Sequence, residues 1–495
     1  MTYDVVLFTG LKQPPPAKTF GAYKCAHELR KAGFKTLVIN HLHHFSPEEL
    51  NKILDRVVGH NTLFVGFSNT FLDNPGNNTK KTLFQNFLPF DGDEEKNFYN
   101  HLKSINPFTK IIVGGARTFF DIKNSYLDYA IIGYGDLSVV NLAQHLRDGI
   151  ELKKVRRNIH GIQVINDPIA EGFDFANSDM QWCDDDIVIE DEILPLEISR
   201  GCVFSCKFCN FVLNGKKKLD YLKNFETIKQ ELLYNYEKYN ITRYRLLDDT
   251  YNDTKEKIDI MLEITKKLPF KPWYWSYIRL DLLSKHPETI DKIIETGVQS
   301  MFFGIETLNQ KTGTVIGKGY DPDEQVETIR YIKKTYGNRI HLTGSFICGL
   351  PLESKSSVAQ TMHRLLTKEI PLDHVFYRPL SIMKKNYQAW DSAFDLDMTK
   401  FGYTEVLENS DQKNNFQINV NWKNNFMSRE EAKIVCETFF KKWQILQNSY
   451  DTSTNVNFDN IITDYKNKLF QHIELSQKHD LSARCGNRLC APGSQ

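Results

Sequence analysis

The run Glu197-Ile-Ser-Arg200-Gly-Cys202-Val-Phe-Ser-Cys206-Lys-Phe208-Cys209-Asn210 places three cysteines in a C-x3-C-x2-C spacing directly after a strand-like apolar stretch. Three thiolates so close in sequence can hold three irons of a [4Fe-4S] cube and leave the fourth iron for an exchangeable small molecule. Zinc is the alternative for clustered cysteines, but it asks for four ligands in two separated pairs, and no partner C-x2-C pair of suitable spacing follows. A disulfide framework fits less well, because nine cysteines in 495 residues without a secretory segment point to a reducing compartment.

Downstream, strands and helices alternate from Pro195 to about Ile382. Helices are expected at Phe225 to Tyr239, Lys255 to Lys267, Ile290 to Glu295, Pro322 to Thr335 and Ser356 to Leu366. Strands are expected at Arg243 to Leu247, Trp273 to Ile278, Ser300 to Ile305 and Ile340 to Cys348. About six β/α units predict an open, partial TIM-type barrel, with functional residues at the carboxyl ends of its strands. Upstream the same alternation predicts a doubly wound parallel sheet: strands at Val5 to Phe8, Thr36 to Ile39, Thr62 to Phe67, Lys110 to Val113 and Tyr129 to Ile132, helices at Gly21 to Lys31 and Pro47 to Val57. Gly66, Gly114, Gly115, Gly133 and Gly135 fall at or just after strand ends, where backbone can approach a ligand, although glycine is also ordinary turn chemistry there.

The expected fold class is α/β: an N-terminal doubly wound domain over 1–150, a linker over 151–192, a partial (β/α)6 barrel over 193–385 and a mainly helical C-terminal lobe over 386–495. The linker has its own strand-like piece at Gly161 to Ile165. Helices at Ser428 to Leu446 and Asp459 to Ser476 are expected to close one side of the barrel as a substrate-facing lobe. Sixty-two basic against sixty-two acidic residues leave no net field, which speaks against nucleic acid as a partner; Lys216 to Lys218 reads as solvated surface. No apolar run is long enough to span a bilayer, so the expected location is cytoplasmic and no membrane partner is implied. His41, His43 and His44 read as a polar loop rather than as ligands, Cys183 as an inert thiol and Cys348 as packing. The tail carries Cys485 and Cys490 in a flexible C-x4-C, too few for a second cluster; inert tail, substrate-proximal thiol and auxiliary metal ligand remain open for it.

The cysteine triplet, with aromatic Phe208 before its third cysteine, resembles that of radical S-adenosylmethionine (SAM) enzymes. The resemblance implies a [4Fe-4S] cluster on Cys202, Cys206 and Cys209, SAM chelating the fourth iron, its reductive cleavage to a 5′-deoxyadenosyl radical, and an electron donor such as flavodoxin or ferredoxin. It carries SAM contacts onto Phe208 near adenine, onto Asp248 and Asp249 where the family's usual Gly-Gly-Glu is replaced, onto Ser276 and Arg279, onto Glu306, and onto Gly344 to Gly349. Arginine suits SAM's carboxylate and a carboxylate suits ribose hydroxyls. The alternatives are a helix cap for the aspartates and surface ion pairs for Arg279 and Glu306.

Residues 1–150 resemble the cobalamin-binding domain of one branch of that family, through Gly21 to Gly33, Val113-Gly-Gly-Ala-Arg117 and Ile132-Gly-Tyr-Gly-Asp136. The D-x-H-x-x-G element of some cobalamin proteins is absent. The resemblance implies methylation or another rearrangement at an unactivated carbon of a small-molecule or peptide substrate. A cobalamin-independent radical oxidoreductase or cyclase, and a non-catalytic iron-sulfur module, are the alternatives. A tRNA methylthiotransferase would add upstream cluster cysteines and a small RNA-binding barrel, and neither pattern is present.

Overall fold

Runs such as Val5-Val-Leu-Phe8 and Thr36-Leu-Val-Ile39 are buried on every side, as strands of a parallel sheet covered by helices on both faces must be. The structure, a computed structural model, describes residues 2–10, 18–68, 93–211, 221–319, 321–406, 419–446 and 458–486, the side chains of 458 and 476–486 excepted. In its first sheet β1 (Val5–Phe8), β2 (Thr36–Ile39), β3 (Phe64–Ser68), β4 (Lys110–Gly115) and β5 (Tyr129–Ile132) pair in parallel in the order β2-β1-β3-β4-β5. The chain order reverses between β1 and β3, so the ligand crevice of such a sheet opens beyond their carboxyl ends. The helix Pro47–Val57 between β2 and β3 shows why the local structure holds. Ser46 accepts from the Glu49 amide, Glu49 reaches back to the Ser46 amide, and Pro47 occupies the first turn.

Residues 151–192, expected as a linker, contribute two more strands to this sheet. β7 (Gln163–Asn166) adds in parallel to β5, and β6 (Val155–Arg157) closes the edge antiparallel to β7. Val164 and Ile165 are buried there, which is what draws the segment onto the sheet.

The second sheet is the open barrel. β8 (Leu194–Glu197), β9 (Arg243–Leu247), β10 (Trp273–Ile278), β11 (Val298–Glu306), β12 (His341–Cys348) and β13 (His374–Pro379) pair in parallel, each beside the next. The helices Phe225–Tyr239, Lys255–Lys267, Pro322–Tyr336 and Lys355–Leu366 cover its convex face.

The C-terminal lobe divides. The helix Arg429–Leu446 packs on β12 and β13, with the Phe439 ring 5.4 Å from that of Tyr377. The helix Phe458–Gly486 corrects the expectation of a lobe facing the barrel: it returns to the first sheet. Tyr465 Oη accepts the Asn40 amide at 2.8 Å and reaches Val38 O at 3.2 Å, and Leu469 and Ile473 enter the core beside Leu50, Ile53 and Leu54. The backbone is helical through Cys485 to Gly486, where a loop was expected; Cys490 and Lys216 to Lys218 lie outside the described residues. Among the described residues no helix is long and apolar enough to cross a membrane.

Candidate active site

The segment from Ser199 to Asn210 leaves β8 at the carboxyl end of the barrel. Cys202 is buried, with its Sγ 3.3 Å from Thr250 Oγ1 and 3.5 Å from the Phe204 amide. Burial pushes its thiol pKa up, and the Thr250 and Phe204 contacts pull it back. Cys206 receives the Arg279 guanidinium, Nη1 to Sγ 3.5 Å, and lies 3.7 Å from Gly317 O. Gly317 turns with φ +84°, and a Cβ there would touch Cys206 Cα at 3.5 Å, so the turn after the helix Gln310–Ile316 forms the floor under the cysteine loop. The Lys207 amide donates to Ile316 O at 3.0 Å and fixes the register. Cys202, Cys206 and Cys209 are all free thiols, and Phe208 packs partly into the adjoining core. Among the described residues no three His, Cys, Asp or Glu side chains gather as they would on a single metal ion. Three thiols on one loop, with a guanidinium donating to one sulfur, are a donor set that suits a polynuclear iron-sulfur cluster.

Arg200, two residues before Cys202, joins the two sheets. Its Nη1 and Nη2 donate bidentately to Asp136 at 2.9 Å each, and its Nε donates to Glu197 at 2.8 Å. Its guanidinium carbon lies 4.4 Å from the Tyr134 ring centroid and 4.7 Å from that of Phe175. Asp136 opens the helix Asp136–Asp148 directly after Gly135. The Gly-Tyr-Gly-Asp turn of the first sheet is thereby bolted to the cysteine motif of the barrel. Both motifs stand in the sequence, but their pairing does not, because the arginine and the acid lie 64 residues apart, each in a motif of its own.

The residues carried onto SAM contacts separate into two groups. Arg279, Asp249 and Glu306 stand beside the cysteine loop. Arg279 stacks 3.8 Å over the Phe204 ring, binds Asp281 at 2.7 Å and Gly317 O at 3.1 Å, and touches Cys206. Asp249 takes a hydrogen bond from the Gly201 backbone, and burial, with the charge of Asp248 adding to it, pushes its pKa up to about 7. Glu306 sits at a bulge ending β11 with φ +68°, a left-handed conformation that strains a residue with a side chain. Burial raises it to about 7 against the pull of Lys318 and Arg279.

The second group is claimed by the protein itself. Asp248 is spent on Lys257, at 2.8 Å, and on the Thr250 amide, at 3.0 Å; Lys257 also holds Asp253 at 2.7 Å. Ser276 is buried on the helix-facing side of β10 with Tyr274 and Ile278, because side chains alternate along a strand. Gly344 leaves room for Leu372, which a Cβ would approach to 2.5 Å, and Gly349, at φ +93°, makes way for the Trp422 ring. Both positions need glycine for packing, and Gly349 also for the turn that its positive φ makes.

The same test divides the glycines of the first sheet. A Cβ on Gly66 would meet Leu7 Cδ2 at 2.8 Å and Ile112 Cγ1 at 3.0 Å; on Gly135 it would meet Cys25 Sγ at 2.8 Å, and on Gly133 it would collide with Pro168. Gly114 has only ordinary contacts, and Gly115 turns with φ +126° at the end of β4. Two buried polar atoms without partners lie in segments next to those turns: Thr118 Oγ1 after Gly115, and Trp390 Nε1, whose ring stacks 5.4 Å from that of Tyr134. Among the described residues neither atom has a partner, and a bound polar ligand or water is what satisfies such groups. The segment carrying Trp390 spans the two halves. Its Ala389 amide donates to Ala116 O at 3.0 Å, and Gln388 Oε1 accepts from Asn210 Nδ2 at 2.8 Å.

Residues 196–365 match the family model described as Radical SAM superfamily. The barrel is a radical SAM domain. An uncharacterized methyltransferase of Pyrococcus horikoshii is 27% identical over 296 residues, covering 55% of this chain and 60% of the relative. One of Synechocystis is 25% identical over 232 residues, covering 46% and 37%. The chain thus spans less than two thirds of the length of either relative. The solved radical SAM methyltransferase TsrM from Kitasatospora setae, with cobalamin and a [4Fe-4S] cluster bound, superposes with a TM-score of 0.58 at 11% identity, covering 83% of this chain and 82% of its own. The cobalamin-dependent SAM radical enzyme OxsB, in its apo form, covers all of this chain and 82% of its own at a TM-score of 0.56 and 14% identity. At such identities the likeness carries the fold: an N-terminal Rossmann-like domain followed by a radical SAM domain.

Proposed function

We propose that this radical SAM enzyme is a methyltransferase that uses a [4Fe-4S] cluster on Cys202, Cys206 and Cys209, SAM, and cobalamin held against the carboxyl end of the first sheet. The observation that carries the reading is the Arg200–Asp136 pair, which holds the cysteine loop against the carboxyl end of the first sheet. The relatives named methyltransferases and the fold shared with TsrM and OxsB support it. In such an enzyme the cluster supplies the electron that splits SAM, and cobalamin supplies a methyl carrier.

The residues of the chain position and insulate. Arg279 places positive charge beside Cys206 Sγ and, stacked on Phe204, closes the loop from one side. Lys318, which donates to Gly304 O at 2.8 Å, and Glu306 offer a cation and a carboxyl for SAM's carboxylate and ribose. Gly114, Gly115, Thr118 and Trp390 would border the corrinoid. The crowding at Gly66, Gly133 and Gly135 favours a second reading, in which the first sheet only docks and hydrogen abstraction proceeds without cobalamin.

Anaerobic purification, reconstitution with iron and sulfide, addition of hydroxocobalamin and desalting decide between them. A stoichiometric corrinoid band supports the methyltransferase. Its absence, with SAM still cleaved to 5′-deoxyadenosine, supports the second reading.

A further inference from the structure

Along β10, Trp273, Trp275 and Tyr277 alternate with Tyr274, Ser276 and Ile278. Tyr274 and Ile278 belong to the core between sheet and helices, so the pleat turns Trp275 and Tyr277 to the concave side of the barrel. Phe302 of β11 and Phe376 of β13 meet them there. Ring centroids are 5.7 Å apart for Trp275 and Phe302, 5.1 Å for Tyr277 and Phe302, and 5.8 Å for Phe302 and Phe376. The result is a continuous aromatic wall across β10, β11 and β13.

Arg245 of β9 sits within that wall. Its guanidinium carbon is 4.8 Å from the Trp275 ring centroid, and Nη2 donates to Tyr277 Oη at 3.2 Å. Its Nε–H is buried and meets no acceptor. Among the described residues no carboxylate pairs with Arg245, nor with Arg378, which lies 5.3 Å over Phe376 at the far edge of the same face. At the amino ends of these strands a cavity of 620 Å³ is lined by Trp273 and His341 with Lys271, Lys333 and Arg339. Asp373, the acid of that lining, is paired with Lys333 at 2.6 Å. The aromatic wall therefore carries a guanidinium without a carboxylate partner among the described residues, and one of its donors is desolvated without an acceptor. A buried donor in that state costs free energy, which an anionic ligand recovers through a charge-assisted hydrogen bond. Flat aromatic surface gains most from a flat partner.

We infer that the concave face binds a substrate bearing a flat ring and a carboxylate, the ring against Trp275, Phe302 and Phe376 and the carboxylate paired with Arg245. Carboxylate suits the site better than phosphate, since the wall offers one planar guanidinium, which the two oxygens of a carboxylate match. The inference rests on reading the barrel as the catalytic domain and narrows its substrate class.

Titration calorimetry on the full reconstituted chain tests it with a matched pair of probes, 1-naphthaleneacetate and 1-naphthaleneacetamide, which differ in charge and share the ring. The wild-type protein is expected to bind the acid at least about tenfold more tightly than the amide. In Arg245→Gln the two affinities should fall within about twofold of one another, and Arg245→Lys should restore part of the preference. Equal affinities in the wild type, no binding of the acid, or a full preference persisting in Arg245→Gln would overturn the inference. Should Arg245→Gln lose the wild-type far-UV dichroism, the wild-type ratio decides alone. SAM cleavage is measured separately on the same preparation: loss of cleavage with the acid preference intact would overturn the radical reading, and the reverse would overturn the substrate class.

Discussion

Arg200 answers two buried carboxylates with one guanidinium, and all three groups are almost fully withdrawn from water. Removing the cation strands Asp136 and Glu197 in a low-dielectric interior, which is the costly way to break a buried ion pair. Arg200→Gln is expected to lose about 3–5 kcal/mol of unfolding free energy, read by urea denaturation, and to retain less iron after reconstitution. Asp136→Asn, which still accepts one hydrogen bond, should cost less.

Glu353 poses a different electrostatic problem. It is buried, with Thr307 Oγ1 its one side-chain donor among the described residues, at 2.7 Å, and burial pushes its pKa up to about 7. A carboxyl whose folded pKa exceeds its unfolded value favours the native state when protonated, so its contribution falls as pH rises from about 4.5 to about 7. Glutamine copies the protonated form and has no such slope. The melting temperature of Glu353→Gln minus that of the wild type should therefore increase across that window, and a flat difference would contradict the raised pKa.

At the scale of elements, the helix Phe458–Gly486 carries an obligation that the sequence does not display. Tyr465 supplies the acceptor for the buried Asn40 amide, and Lys466 pairs with Glu49 at 2.7 Å, so a helix from the end of the chain completes the loop after β2. Tyr465→Phe leaves that amide unsatisfied and should cost about 1–3 kcal/mol, measured by chemical denaturation. Most elements could be read from their own residues. The bounds of β1, β2, β9, β10 and the helices Pro47–Val57, Phe225–Tyr239 and Lys255–Lys267 follow from apolar periodicity and local caps such as Ser46, Asn224 and Thr254. The strand-like piece at Gly161 to Ile165 foreshadows β7, whereas β6 and the joining of both to the first sheet leave little local pattern, because short edge strands gain their partners from β5 and from each other.

Across the whole molecule, the cluster motif and the tail make opposite predictions. Replacing Cys202, Cys206 and Cys209 together with alanine should abolish the broad visible iron-sulfur absorbance and all SAM cleavage. Replacing Cys485 and Cys490 should leave iron content unchanged, and a large loss of iron would assign the tail a ligand role.

What the sequence determined by itself is what travels in short segments: the spacing of three thiols, the alternation of strands and helices that makes two parallel sheets, and the acids and arginines at strand ends. Those are properties of neighbours along the chain. The tertiary structure decided which candidates are free to act. Asp248 is consumed by Lys257, Ser276 faces the helices, and Gly66, Gly133, Gly344 and Gly349 are filled by Leu7, Pro168, Leu372 and Trp422. It also joined Arg200 to Asp136, gathered the aromatic wall around Arg245, and sent the last helix back to the first sheet. Such contacts depend on side chains far apart in sequence competing for the same buried space, and on which partner neutralises a charge first. Local pattern records the groups available, and packing chooses among them.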